Sequence, residues 1–215
     1  MPIEKMAYRV QRQQETALGS DSMGPLMLFA VVMSFTPGPN VIMVTASAAN
    51  FGFGRTVPQM LGITIGFAAL IMAAGLGLAG LVHAEPRLHT ALRYAGGVYL
   101  LYLAWSIARA DARDGASARA KPFGLFEAAL FTWANPKAWV MALGALAAFA
   151  TTGGDVLLET LVIAGVMAAA CLASTMIWAG FGAAIGRQLD NPRARKVFNG
   201  SMAGLLVISL IPVFL

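Results

Sequence analysis

One lysine, Lys137, lies near the middle of an apolar stretch that is long enough to cross a bilayer. A charged side chain at the centre of a membrane helix costs about 2.5–3.5 kcal/mol on insertion scales. The nearby carboxylates of Glu127, Asp155 and Glu159 all lie close to predicted helix ends. We therefore expect the Lys137 ammonium either to lose its proton or to pair with an anion from elsewhere, such as the carboxylate of a bound solute. Pairing with backbone carbonyls freed by a helix break is the alternative.

Two proline motifs interrupt two apolar stretches near their middles. The first is Thr36-Pro37-Gly38-Pro39-Asn40 and the second is Asn135-Pro136-Lys137, so that two of the prolines lie 97 residues apart. Proline removes a backbone donor and breaks or kinks a helix. Backbone groups freed in this way must face protein or a water-filled cavity, since each would cost several kcal/mol in lipid. Paired interruptions indicate a binding site near the bilayer midplane, and a simple structural kink is the alternative.

The candidate site follows from these two motifs. The predicted substrate-binding residues are Thr36, Gly38, Asn40, Gln59, Asn135 and Lys137, and the predicted helix breaks are Pro37, Pro39 and Pro136. Gln59 is included as a residue at the entrance, with a loop-facing position as the alternative. We expect Ser174 and Thr175 to hydrogen-bond to their own helix backbone.

The residue types leave little room for catalysis. Cys171 is the single cysteine, and His83 and His89 lie in a predicted loop, which argues against thiol–disulfide, haem and metal chemistry inside the membrane. We therefore predict that the protein is not an enzyme, with no catalytic residue, no metal and no cofactor.

Composition indicates the elements that must position these residues. Of 215 residues, 58% are hydrophobic and 12% charged, whereas soluble domains carry about a quarter charged residues. Six apolar stretches have the length of membrane helices. They are Gly24–Ala46, Val57–Val82, Ala91–Ala108, Leu125–Ala150, Leu161–Ile185 and Val197–Leu215. We predict an all-α integral membrane protein whose six transmembrane helices form a 3+3 inverted repeat, with helices one and four broken.

Charge indicates the orientation. The connectors after stretches one, three and five contain nine Lys and Arg residues, and the other side contains five. Both termini are therefore predicted to lie outside the cytoplasm. The net charge of +5 reflects these flanks, and we expect no nucleic-acid partner. Residues 1–22 form a polar arm, either disordered or untranslated with a true start at Met23, and 23–215 form a single transmembrane transporter domain.

The chain resembles a known family from Gly24 to Leu215. The motif from Thr36 to Asn40, the glycine pattern of Gly52–Gly66, the segment Gly96–Leu100 and Asn135-Pro136-Lys137 are similar to those of the lysine exporter (LysE/RhtB) family. The resemblance implies a small bacterial inner-membrane protein that exports amino acids as a secondary transporter, coupled to a proton or sodium gradient. No carboxylate lies at the predicted membrane centre, which favours neutral amino acids over dibasic ones.

The resemblance also gives the site a mechanism. The substrate carboxylate is expected to bind Lys137 and the amides of a half-helix N-terminus, and its ammonium the carbonyls of an opposing C-terminus. The expected partners are an amino acid, a coupling ion and the lipid bilayer, and the Gly-x-x-x-Gly motifs are compatible with a homodimer. A non-transporting membrane scaffold and an exporter of another small metabolite are the alternatives.

Overall fold

The chain folds as a bundle of helices in the computed structural model, which describes residues 20–78, 86–109, 122–151, 155–189, 191–209 and 211. These residues contain helices and no strand. The helices are α1 Ser20–Phe35, α2 Pro39–Phe51, α3 Phe53–Ala73, α4 Pro86–Ala108, α5 Leu125–Ala134, α6 Pro136–Phe149, α7 Val156–Gln188 and α8 Pro192–Ile208. A π-helical turn, Ala74–Leu78, extends α3. Most of the predicted polar arm lies outside the described residues, and α1 begins within its last part.

Within the described residues, two continuous helices are long and apolar enough to cross a bilayer. They are Phe53–Gly77, with 25 residues, and Val156–Gln188, with 33. α1 and α2 together satisfy the same test as one span bent by 54°. The segment Gly97–Ala108 and helices α5 and α6 are apolar but shorter. The prediction of an all-helical, apolar bundle is confirmed, with up to three membrane-capable spans among the described residues.

Five of the six predicted stretches begin four or five residues after the start of their helix, and side-chain caps explain two of these differences. α7 begins at Val156 rather than Leu161, because Asp155 Oδ1 accepts hydrogen bonds from the backbone amides of the second and third helical residues, each at 3.0 Å. α8 begins at Pro192 rather than Val197, because Asn191 Oδ1 accepts from Arg193 N at 2.9 Å. These side chains satisfy amides that the helix itself leaves unpaired, so each helix extends beyond its apolar stretch.

Two glycine motifs bring the half-helices α2 and α5 against the long helices. A Cβ on Gly182 of α7 would collide with the carbonyl oxygen of Thr45 in α2, and one on Gly62 of α3 with that of Leu125 in α5. The second glycine of each motif makes a similar contact one turn later. Both contacts lie in the same half of the bundle, where α2 ends and α5 begins. These glycines therefore serve close packing within the chain.

Candidate functional site

The first helix break spans three residues between α1 and α2. Thr36 and Pro37 are exposed, and Gly38 is buried in extended backbone with φ −171°. Thr36 N and Oγ1 both donate to Val32 O, at 3.2 and 2.6 Å. Ser174 Oγ, from α7, donates to Ser34 O at 2.8 Å. The prediction that Ser174 bonds to its own helix was therefore wrong, because a carbonyl at the end of α1 lies within its reach.

The neighbouring hydroxyl behaves as predicted. Thr175 Oγ1 donates to Leu172 O in its own helix at 2.9 Å.

The second break consists of a single residue, Asn135, between α5 and α6. Its Oδ1 accepts from Lys137 N at 3.1 Å and so caps α6. The indole Nε1 of Trp139 donates to Trp133 O at 2.8 Å, and the indole of Trp133 donates to Gly66 O of α3 at 2.9 Å. Neutral groups of the protein thus satisfy backbone atoms on both sides of this break.

The N-terminus of α2 has no such cap. Gly38 stands at the N-cap position, where Asn135 stands in α6, and has no side chain to accept from the first amides. The backbone N–H groups of Asn40 and Val41, in the first turn, are left without a side-chain cap. The unpaired amides and the dipole of a helix N-terminus favour an anion. The opening of α2 is therefore suited to bind a carboxylate.

Lys137 extends from the second break to the first. Its Nζ donates to Thr36 O at 2.5 Å. A Cβ added to Gly38 would lie 2.6 Å from Lys137 Cδ, so the absence of a side chain at Gly38 makes room for the lysine. Pairing with a carbonyl freed by the break, the alternative considered for Lys137, is the contact that the structure contains. An ammonium has three donors, and Thr36 O takes one.

A cavity of about 390 Å³, counted with its open mouth, lies where the two breaks meet. It is lined by residues of α1, α2, α3, α6 and α7 and of both breaks. The lining residues are Met33, Ser34, Thr36, Gly38, Asn40, Val41, Phe67, Asn135, Lys137, Ala138, Met141, Cys171, Ser174 and Thr175. The set contains one cation and no Asp, Glu or His.

Five of the six predicted binding residues line this cavity together. They are Thr36, Gly38, Asn40, Asn135 and Lys137. The sixth, Gln59, is fully buried within α3 and is not in the lining. The three predicted break prolines lie at the junctions, with Pro39 and Pro136 as the first residues of α2 and α6.

Sequence reasoning missed the contribution of α7 and the first polar residue of the lining. Cys171, Ser174 and Thr175 reach the cavity because one face of α7 passes behind the first break. Ser34 lies just before that break. Within the described residues, Ser34 Oγ and Asn40 Oδ1 are buried side-chain atoms without a hydrogen-bond partner. Cys171, Ser174 and Thr175 are spaced so that they share one face of a helix. This spacing in the fifth apolar stretch is the signal that could have revealed the contribution of α7.

Metal-ligating side chains were sought throughout the part of the chain that the structure describes. That part contains no group of three or more His, Cys, Asp or Glu side chains that could hold a metal ion.

A polar cavity formed where two broken helices meet inside an apolar bundle is the kind of site at which many membrane transporters bind their substrates. The chain belongs to the LysE type translocator family, whose sequence profile matches residues 31–214. The resemblance seen in the two proline motifs is thereby confirmed, and the protein is a membrane protein of a translocator family.

Curated relatives with the same printed name match part of the chain. The cysteine/O-acetylserine efflux protein of Salmonella choleraesuis (strain SC-B67) is 30% identical over 133 residues, which cover 59% of this chain and 67% of the relative. That of Shigella flexneri is 28% identical over 133 residues, with the same coverage. That of Escherichia coli O139:H28 (strain E24377A / ETEC) is 28% identical over 122 residues, 56% of this chain and 62% of the relative. No solved structure matches the chain.

Proposed function

We propose that the protein exports small neutral amino acids or their derivatives across the bacterial inner membrane, as a secondary transporter that works by alternating access. The family and the relatives named for cysteine and O-acetylserine efflux support amino-acid export. One observation carries the assignment of the site: Lys137 enters a cavity whose described lining contains no carboxylate. A cation in such a position is matched by an anion that the substrate brings.

The carboxylate binds between Lys137 and the start of α2. Lys137 Nζ keeps two donors beyond the one given to Thr36 O, and the amides of Asn40 and Val41 lie at an uncapped helix N-terminus. Ammonium, amides and helix dipole all favour the same charge. The two remaining donors of Lys137 can bind a carboxylate while the bond to Thr36 O stays in place, and the opposite charges of ammonium and carboxylate add to the hydrogen bonds.

The substrate ammonium binds to oxygens of the first break. Ser34 Oγ and Asn40 Oδ1 lie buried at the cavity without a partner within the described part of the chain. A buried polar atom left unsatisfied costs about 1–3 kcal/mol. A bound ammonium donates to these oxygens and removes that cost. We expected the substrate ammonium to bind free backbone carbonyls. The carbonyls of Ser34 and Thr36 already accept hydrogen bonds from side chains, and we therefore assign the ammonium to the two side-chain oxygens instead.

The remaining walls of the cavity determine which substrate side chains can be bound. Phe67, Met141 and Cys171 present apolar or weakly polar groups, and the hydroxyls of Ser174 and Thr175 lie beside them. A second cation would have no carboxylate to pair with in this lining. The cavity therefore selects short, uncharged side chains.

The membrane arrangement belongs to the same proposal. We infer six spans arranged as a 3+3 inverted repeat, with α1 to α4 in one half and α5 to α8 in the other, and both termini outside the cytoplasm. Coupling to a proton or sodium gradient then depends on Lys137, backbone carbonyls at the breaks or hydroxyls such as that of Thr36. A homodimer is compatible with Gly200 and Gly204 of α8, which have nothing within 4 Å of an added Cβ.

Amino-acid efflux tests the proposal. Cells with the chain, Lys137→Met, Lys196→Met or empty vector are loaded with dipeptides, and all twenty amino acids and O-acetylserine are followed in the medium. Lys196 is an exposed lysine of α8 and serves as the matched control. We expect selective excretion of a few neutral compounds, reduced roughly tenfold or more by Lys137→Met alone, because about 1.4 kcal/mol of lost binding is already tenfold.

Two results would contradict the proposal, the first its binding site and the second its function. Efflux of Lys137→Met at the wild-type rate excludes the lysine as the carboxylate anchor. Excretion equal to that of empty vector for every compound, with the protein present in the membrane, favours a scaffold or an exporter of another metabolite. A decarboxylated analogue of an exported amino acid provides a further check in vesicles, since it should fail to compete for export.

A further inference from the structure

A second polar pocket lies at the far end of α2. It has a volume of about 330 Å³, counted with its open mouth. Its lining residues are Ala46, Ser47, Asn50, Phe51, Ser106, Ile107 and Phe123. None of them is ionisable, and Ser47, Asn50 and Ser106 supply hydroxyl and amide groups. The lining is therefore polar but neutral.

A pair of side-chain amides joins α2 to α8 beside this pocket. Asn50 Nδ2 of α2 donates to Asn199 Oδ1 of α8 at 2.8 Å, and Asn199 Nδ2 donates back to Asn50 Oδ1 at 3.2 Å. Asn199 is fully buried, and Asn50 Nδ2 also donates to Ala46 O at 2.8 Å. The pair holds α8, and with it α4, against α2 through two hydrogen bonds between neutral groups.

The pocket lies on the boundary between two groups of helices. α4 and α8 pack mainly on each other and have smaller contacts with α2. α2 in turn packs mainly on α7, through the close contact of Gly182 with Thr45. The helices on either side of the pocket can thus separate without breaking the tightest contacts on each side.

The same helix connects this pocket with the central cavity. Asn40 and Val41 line the cavity at the start of α2, and Ser47 and Asn50 line the second pocket near its end. At 1.5 Å per residue, the ten residues from Asn40 to Asn50 span about 15 Å, which is half the thickness of a hydrocarbon core. The second pocket thus lies between the central cavity and the membrane face at which α2 ends.

We infer that the second pocket is the vestibule of the transport path on the Phe51 side, and that the Asn50–Asn199 pair is the latch that closes it. This inference rests on the proposed function and adds the route by which the substrate enters. A zwitterion brings donors and acceptors that compete for both amides. The neutral lining holds such a solute weakly, as passage to the central cavity requires.

Thiol labelling tests the latch without knowledge of the substrate. Ser106→Cys places a reporter in the pocket, and Cys171→Ala removes the single native thiol. Vesicles of both orientations are treated with a membrane-impermeant thiol reagent. We expect Asn199→Ala to raise the labelling rate roughly fivefold to tenfold, from the Phe51 side only, because it removes both amide hydrogen bonds. Ser201→Ala, an exposed position in the same helix, is the control and should leave the rate unchanged.

A crosslink tests the latch in the folded, closed form. Asn50→Cys and Asn199→Cys are combined in a chain that retains Cys171, and a short bis-methanethiosulfonate joins the two thiols through two disulfide bonds, with release of two sulfinate groups. We expect export to stop, and to recover when the crosslink is reduced, whereas neither single variant should respond to the reagent in this way.

The outcomes separate the latch from the proposed function. Labelling that does not change in Asn199→Ala, or export that continues at the same rate through the crosslinked chain, overturns the latch. A rise in labelling from the Phe51 side supports the latch even in a chain that exports none of the amino acids tested, in which case the proposed function alone fails.

Discussion

At the first helix break, the ammonium of Lys137 donates to the freed carbonyl of Thr36, whereas at the second the indole of Trp139 donates to that of Trp133. The helix that follows the first break has Gly38 at its N-cap position and no side-chain cap, and the one that follows the second is capped by Asn135. Both helices begin with a proline. The two breaks therefore share a sequence pattern but differ in the groups that complete them.

This difference indicates that the first break is suited to bind a substrate and that the second supports the structure around it. Neutral groups of the protein satisfy the second break, and a substrate has little to add there. The first break combines a cation, an uncapped helix N-terminus and two oxygens, of Ser34 and Asn40, that have no partner among the described residues. In the proposed mechanism these groups bind both the carboxylate and the ammonium of a zwitterion. We expect substitutions at the first break to reduce transport and substitutions at the second to reduce stability first.

The largest expected effect is that of Gly38→Ala. The new Cβ would lie 2.6 Å from Lys137 Cδ, and the lysine side chain must move. The backbone at Gly38 is extended, with φ −171°, which alanine adopts without strain. We therefore expect normal amounts of protein in the membrane and a loss of efflux of roughly tenfold to a hundredfold, which corresponds to about 1.4–2.8 kcal/mol of lost substrate binding.

Gly24→Ala provides the matched control for this prediction. Gly24 lies in α1, and nothing comes within 4 Å of an added Cβ. Efflux close to that of the wild type in both alanine variants would show that the contact between Gly38 and Lys137 does not matter for transport.

The sequence predicted the breaks because proline acts locally. Pro39 and Pro136 each fix the first residue of a helix, and their apolar surroundings already indicate that freed backbone groups must meet protein or water. Helix ends were harder to predict, because Asp155 and Asn191 extend α7 and α8 beyond the apolar residues. A hydropathy pattern does not contain the effect of such caps.

The composition of the cavity was only partly predictable. Lys137 and Asn40 were found because they are polar residues at a break, but Cys171 and Ser174 are contributed by a helix that is distant in sequence. The amide of Gln59 is polar and near the start of a span, yet it is buried within α3. Which polar residue faces a cavity depends on the rotation of its helix about its axis, and that is set by long-range packing.

A smaller effect is expected for Trp139→Phe at the second break. The change removes the donor to Trp133 O, and a carbonyl left without a partner costs about 1–3 kcal/mol. Trp178→Phe is the control, because the Nε1 of Trp178 has no hydrogen-bond partner among the described residues and the loss of volume is the same. Thermal unfolding in detergent should show a lower midpoint for Trp139→Phe than for Trp178→Phe, with efflux reduced much less than in Gly38→Ala. Equal midpoints for the two variants would mean that the indole hydrogen bond contributes nothing.

The smallest expected effects are those of two asparagine caps that share a sequence motif but lie at different places in the fold. Asn135-Pro136-Lys137 and Asn191-Pro192-Arg193 have the same form, and in each the Asn Oδ1 accepts from the amide two residues on, at 3.1 and 2.9 Å. Loss of an N-cap costs about 1 kcal/mol, so Asn135→Ala and Asn191→Ala should lower the free energy of unfolding by similar amounts.

Only Asn135→Ala should also reduce efflux, by a few-fold, because Asn135 is buried in the cavity lining and its cap sets the first turn of α6, from which Lys137 extends. Asn135→Ser keeps a capping oxygen and should recover most of both losses. If Asn135→Ala and Asn191→Ala reduced efflux equally, the cap would act through stability alone, and the second break would support the site only by keeping the protein folded.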